Sequence, residues 1–202
     1  MPARRAAARR EPVRARLDVD ERRRQLVALG LEIFASRAYD DVSIEELATA
    51  AGISKGLLYH YFPTKKDFYV ATVRASAQQL LERTSKAIEG DPLTRLHAGL
   101  DEYLDYVEAY ERPYTSLLRS GVGSDVAVAK IVDETRDRLC ARLVEGIPSD
   151  TPLVRLALRG WLGFVEATTL EWLDGKRKIK RAALRELLAQ VLLRAVEAAA
   201  GK

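Results

Sequence analysis

The densest chemistry in this 202-residue chain lies between Lys55 and Lys65, where Lys55, Gly56, Tyr59, His60 and Lys65 fall within eleven positions. Two ammonium groups, a phenol and an imidazole suit hydrogen bonds to phosphate oxygens, and a Tyr beside them suits contact with a thymine methyl. Lys55 sits in the first turn of a helix, where a cation opposes the helix dipole; that placement makes sense where phosphates lie nearby. Lys65 repeats the pattern at another helix start, with free N–H groups ready to receive a phosphate. Gly56 permits close backbone approach. The bland alternative for each is an ordinary solvated side chain. Tyr59 and Tyr61 are two apart and point about 200° away from each other, so one faces a core and the other the outside.

No competing chemistry emerges elsewhere. His60 and His97 are the only histidines, and neither has Cys, Asp or Glu at metal-ligand spacing. Cys140 is the single cysteine, in mid-helix without a nearby His, and reads as a structural thiol rather than a nucleophile. Gly121-Val122-Gly123 is too short for a phosphate loop and follows no strand. The sequence therefore offers no catalytic residues, no metal site and no cofactor.

The elements that must position the Lys55–Lys65 group are legible from caps and turns. Ser43-x-x-Glu46 is a capping box. Ile44, Leu47, Ala48 and Ala51 follow at helical spacing. Gly52 stands where a helix ends in the left-handed conformation, Ile53 plugs the turn, and Ser54 caps a second helix. Ser43–Phe62 thus reads as a helix-turn-helix whose second helix is shaped for a major groove. Pro63 closes the unit, and Thr64-x-x-Asp67 resembles another capping box.

The rest of the chain carries helical periodicity throughout, with no persuasive alternating strand. The expected class is all-α, about nine helices. A basic disordered arm is expected over 1–19, a three-helix DNA-binding domain over 20–69 with its motif at 43–62, and a larger helical domain for ligand binding and dimerisation over 70–202. Helix 4 is expected to run from Lys65 to about Ile88, and helix 6 from Pro113. Hydrophobic residues make up 48% of the chain, ample for a core. A single cysteine, no membrane-spanning run and no secretory apolar segment suit the cytoplasm, with no membrane partner.

The net charge of +4 is unevenly placed: residues 1–16 carry +5, and residues 17–70 carry −2. The presumptive reader is therefore not a basic domain. Its DNA affinity must come from a few aimed contacts, with the arm adding bulk attraction. The arm has two open readings, a minor-groove contact and a solubilising end.

The run Ile33-Phe34, Tyr39, Ser43-Ile44, Leu47-Ala48, Ala51-Gly52-Ile53-Ser54-Lys55-Gly56, Leu58-Tyr59, Tyr61-Phe62, Lys65 and Phe68 resembles the TetR family of bacterial transcriptional regulators. This stretch covers about a quarter of the chain. The resemblance implies a homodimer and, usually, a pocket for a small effector. By the family motif, Ser43, Ser54, Lys55, Gly56, Tyr59, His60 and Lys65 meet DNA, Tyr59 is the outward tyrosine, and Leu58 and Phe62 are core. Lys66 replaces an acidic residue common at that position, which suggests an added phosphate contact.

Two further expectations complete the reading. Tyr103, Tyr106, Tyr110 and Tyr114, with Trp161, Phe164 and Thr168, are candidates to line an effector cavity; core packing explains them equally well. Helices over about 153–173 and 180–199, apolar on wide faces, are expected to pair with a second copy, helped by Gly160 and Gly163. The leading function is a homodimeric, sequence-specific repressor, released from a pseudo-palindromic DNA operator by a small, largely apolar effector. The alternatives are an all-helical carrier or enzyme with no DNA role, and a DNA-binding activator lacking an effector.

Overall fold

In a computed structural model that describes residues 19–85, 90–119 and 125–201, the described residues form nine α-helices and no strand. In chain order these are α1 (Val19–Ser36), α2 (Ile44–Ala50), α3 (Lys55–Tyr61), α4 (Lys65–Thr84), α5 (Pro92–Ala109), α6 (Glu111–Arg119), α7 (Val126–Glu145), α8 (Pro152–Asp174) and α9 (Arg181–Ala200). Residues 1–18 of the expected arm and the Gly121–Ser124 loop lie outside the described residues, as do 86–89, whereas Val19, expected in the arm, is the first residue of α1. Helix α4 closes at Thr84, four residues before the expected end, with Ser85 as its cap. Helix α6 begins two residues before Pro113, which lies in the first turn where its missing N–H is not needed.

Side-chain caps start most of these helices. Ser43 and Thr64 each complete a reciprocal box, with Glu46 and Asp67 respectively. Ser54 accepts from the Leu57 N–H at 3.2 Å, and Asp91, Asp125 and Thr151 start α5, α7 and α8 in the same way. Gly52 turns the chain between α2 and α3 at φ 64°, where L side chains are strained.

The first core gathers Leu26, Phe34, Val42, Ile44, Leu47, Leu58, Phe62 and Phe68 from α1 to α4. Leu58 is completely buried and Phe62 and Phe68 nearly so, their rings meeting edge to face at 5.0 Å. Helix α1 crosses α4 at Gly30. A Cβ there would lie 2.5 Å from Thr72 Oγ1 and 2.8 Å from the Phe68 ring, so only glycine permits this approach.

The second core joins α5, α8 and α9 around Leu104, Val107, Leu158, Trp161, Trp172 and Leu188. Each indole N–H finds a backbone carbonyl at 2.8 Å, Trp161 on Leu188 and Trp172 on Ile179, so both tryptophans tie α8 to the chain that follows it. The turn between α8 and α9 holds Lys176 and Arg177 at positive φ. Arg177 is anchored there by Glu111 and by the face of Trp172. A third, small cluster of Val73, Val128 and Ile131 fastens α4 to α7. No helix among the described residues is long and apolar enough to cross a membrane.

Candidate functional site

Helix α3 is seven residues long, and only Leu58 is buried. Ser54, Lys55, Gly56, Leu57, Tyr59 and His60 are all exposed. A Cβ added at Gly56 would meet nothing within 4 Å, so the α3 backbone is open to outside approach. Tyr59 faces outward, while Tyr61 packs against the first core and stacks edge-on with His60 at 5.5 Å. Ser43 lies at the start of α2, exposed, with its hydroxyl accepting from the Glu46 N–H at 3.1 Å.

The two cations are held at the ready. Lys55 pairs with Glu45 of α2, and its ammonium lies 5.8 Å from the Tyr59 ring centre. The hydrogen bond between them lowers the Glu45 pKa and raises that of Lys55. Lys65 lies 4.1 Å above the Tyr39 ring, a cation–π contact that fixes its direction without neutralising it. Lys66 does not join this group. It is ion-paired at 2.6 Å with Asp125, the α7 cap, which raises the Lys66 pKa and lowers that of Asp125. The suggested phosphate contact at Lys66 is thus replaced by a link between α4 and α7.

Glu46 lies beside Arg37 and accepts from the Ser43 N–H, which with the Arg37 guanidinium lowers its pKa from 4.5 to about 2. The α2–α3 unit therefore carries fixed carboxylates close to its cations. This agrees with its negative sequence charge.

Behind this unit lies a cavity of about 110 Å³, walled by α1, α4, α5, α6, α7 and one residue of α8. Of the expected lining residues, Tyr106, Tyr110 and Tyr114 reach it. Tyr103 does not: its hydroxyl turns behind Tyr114 to share hydrogen bonds with that residue and with Thr169. Trp161 faces α9 instead, and Phe164 and Thr168 also lie outside the lining, the Thr168 hydroxyl bonding the Phe164 carbonyl at 2.7 Å. Four of the seven expected residues thus lie outside this lining. The walls that sequence reasoning missed include Phe34, Tyr69, Thr72 and Ser76, and the pair Arg136–Glu166.

Residues 26–72 match the family described as bacterial regulatory proteins, tetR family, and residues 92–195 match the tetracyclin repressor-like C-terminal domain. The chain belongs to the TetR family. A solved TetR-family transcriptional regulator from Streptomyces coelicolor is 32% identical, with a TM-score of 0.82, and the alignment covers 92% of this chain and 84% of that one. The transcriptional activator FasR of Mycolicibacterium smegmatis is 26% identical over 172 residues, 82% of this chain and 78% of its own. The transcriptional repressor KstR of Rhodococcus jostii is 25% identical over 180 residues, 86% and 83% of the two chains. As a TetR-family member the protein is a DNA-binding transcriptional regulator, with α2 and α3 as its helix-turn-helix. Relatives of both signs, an activator and a repressor, match most of its length.

Proposed function

We propose that the protein is a homodimeric repressor. It reads a pseudo-palindromic operator through Ser43, Ser54, Lys55, Gly56, Tyr59, His60 and Lys65, and a small apolar effector in the cavity releases it. The observation that carries this reading is the cavity's position. Leu31, Phe34 and Ala35 of α1 form one wall and α4–α8 the others, so an occupant touches a helix of the DNA-reading unit and the larger core at once. Such a molecule favours whichever relative placement of the two gives it more contact, and DNA favours the placement it reads. Where these differ, each ligand expels the other.

Dimerisation through α8 and α9 is supported by the face they leave open. Leu153, Leu156, Gly160, Gly163 and Ala167 recur at spacings of three and four along exposed α8, with Ala183 and Leu187 exposed on α9. Leu156 is 67% exposed, and a Cβ at Gly160 or Gly163 would meet nothing within 4 Å. An apolar stripe with two glycines suits close packing of a second copy into a four-helix bundle.

The test is selection of bound sequences from random DNA by the purified protein at stated salt, followed by operator release under a panel of apolar compounds. Enrichment of a two-fold symmetric site supports the dimeric reader. An asymmetric single half-site sinks it. A compound that raises the melting temperature without loosening the operator would assign the cavity no role in control.

A further inference from the structure

The charge on the cavity wall narrows the effector class, an inference that rests on reading the cavity as the effector site. Among the described residues, Arg136 and Glu166 are the only charged ones lining it, and they face each other as a bidentate pair: Nε to Oε1 at 2.9 Å and Nη2 to Oε2 at 2.6 Å. The third nitrogen, Nη1, meets Asp133 at 3.2 Å, and Asp133 is held in turn by Arg159 at 2.8 Å. The wall thus presents two opposite charges that cancel.

Besides the phenols of Tyr69 and Tyr110, which can donate to a neutral carbonyl, the other polar groups on the wall are hydroxyls already engaged with the protein. Thr72 and Thr135 donate to the carbonyls of Phe68 and Ile131 at 3.0 and 2.6 Å. Tyr106 bonds Ser76, and Tyr114 bonds Tyr103. Hydroxyl oxygens that have donated their hydrogens keep lone pairs for a neutral donor. The tyrosines are a poor cage for a cation, because the Arg83 guanidinium lies 6.0 and 5.9 Å from the rings of Tyr106 and Tyr110.

We infer that the effector fills this cavity with an uncharged body, an aliphatic or alicyclic alcohol or neutral carbonyl compound, and that free carboxylates and ammonium ions are rejected. A buried hydroxyl needs one hydrogen bond, whereas a buried ion needs a counter-charge. The only counter-charges here are bound to each other, and breaking that pair strands the displaced partner.

The experiment titrates the full-chain protein at pH 8 with 1-pentanol, methyl butanoate, pentanoate and pentylammonium, small enough for the cavity, by calorimetry. The alcohol and ester bind, and both ions bind at least tenfold more weakly. Glu166→Gln frees Nε and Nη2 of Arg136 and raises pentanoate affinity relative to pentanol at least tenfold. Arg136→Gln does the mirror experiment and raises pentylammonium. Ions that bind the unaltered protein as tightly as pentanol overturn the inference, as do two folded variants that leave the ratios unchanged. Failure of all four probes to bind is a different result: it removes the effector-site reading itself, and this inference with it.

Discussion

The α2–α3 unit and the cavity behind it solve opposite problems. The first is a convex surface, made by one short helix with a single buried residue, and its chemistry is carried by neighbours in sequence. The second is a concave surface, assembled from α1 and α4–α8, and its chemistry lies in side chains up to 135 positions apart, Leu31 and Glu166 at the extremes. A reader must be rigid before its partner arrives, so caps and a tight turn define it. A receptor must have two workable arrangements, so packing between helices defines it.

Five substitutions break or sharpen that contrast. The largest effect is expected at the reader. Lys55→Ala removes a charged contact in each half of a dimer; at roughly 1.5–3 kcal/mol per charge-assisted bond, operator binding falls by about 100-fold or more. Gel-shift titration reads the affinity, and sedimentation must still show a folded dimer. Operator affinity unchanged in Lys55→Ala would remove that contact from the reader.

The second prediction makes one chemical change at two glycines. Gly30→Ala overpacks the α1–α4 crossing and costs about 1–3 kcal/mol in chemical denaturation. Gly56→Ala, whose Cβ meets open space, leaves the fold at least as stable. Its effect is on DNA, where the added methyl blocks close approach. Equal stability losses in the two variants would erase the distinction between packed and open glycine.

A smaller effect is expected at Glu45. This carboxylate competes with phosphate for Lys55, so Glu45→Gln tightens operator binding. Exposed pairs are weak, so the predicted gain is about two- to thirtyfold across two half-sites, shrinking at high salt. A loss of affinity would assign Glu45 a supporting role instead of a competing one.

The smallest effect is titration of Glu46, whose carboxyl is held at about 2, well below its ordinary 4.5. A lowered pKa means the folded state prefers the charged form. Its contribution is therefore fully present above pH 4.5 and disappears as pH falls through about 2. Urea midpoints of the parent protein and Glu46→Gln should differ at pH 6 and converge near pH 2. A gap that persists at pH 2 would locate the effect outside the carboxylate.

This contrast also explains what the sequence made legible. Ser43, Gly52, Ser54 and Thr64 act on atoms within three or four residues of themselves, so their spacing predicted α2, α3 and the start of α4. The family resemblance separated Leu58 inward from Tyr59 outward, and in the structure α3 has Leu58 as its one buried residue. The cavity was half legible. Tyr106, Tyr110 and Tyr114 were marked by their type, but type alone did not separate them from Tyr103, Trp161, Phe164 and Thr168. Which aromatic ring borders a void depends on where α4 and α7 pass, and nothing local to α5 or α8 records that. Arg136 and Glu166 stayed hidden for the same reason: an Arg on one helix and a Glu 30 residues later look like two solvated charges until the helices meet. Lys66 shows the converse, a residue beside the motif that structure recruits to a different partner.

The crossing at Gly30 has a mechanical consequence. With no side chain between them, α1 and α4 are too tightly seated to slide, so the α2–α3 unit rides on α4 as a tool rides on its handle. Helix α4 has 20 residues, and a helix of that length is about 30 Å long. Tilting such a handle by about 5° displaces its tip by roughly 2.6 Å. On the dimeric reading two tips move together, and the mismatch against half-sites spaced about 34–36 Å apart is doubled. On the proposed reading, a modest guest lodged near the middle of the handle suffices to put two recognition helices out of step with the pitch of the double helix.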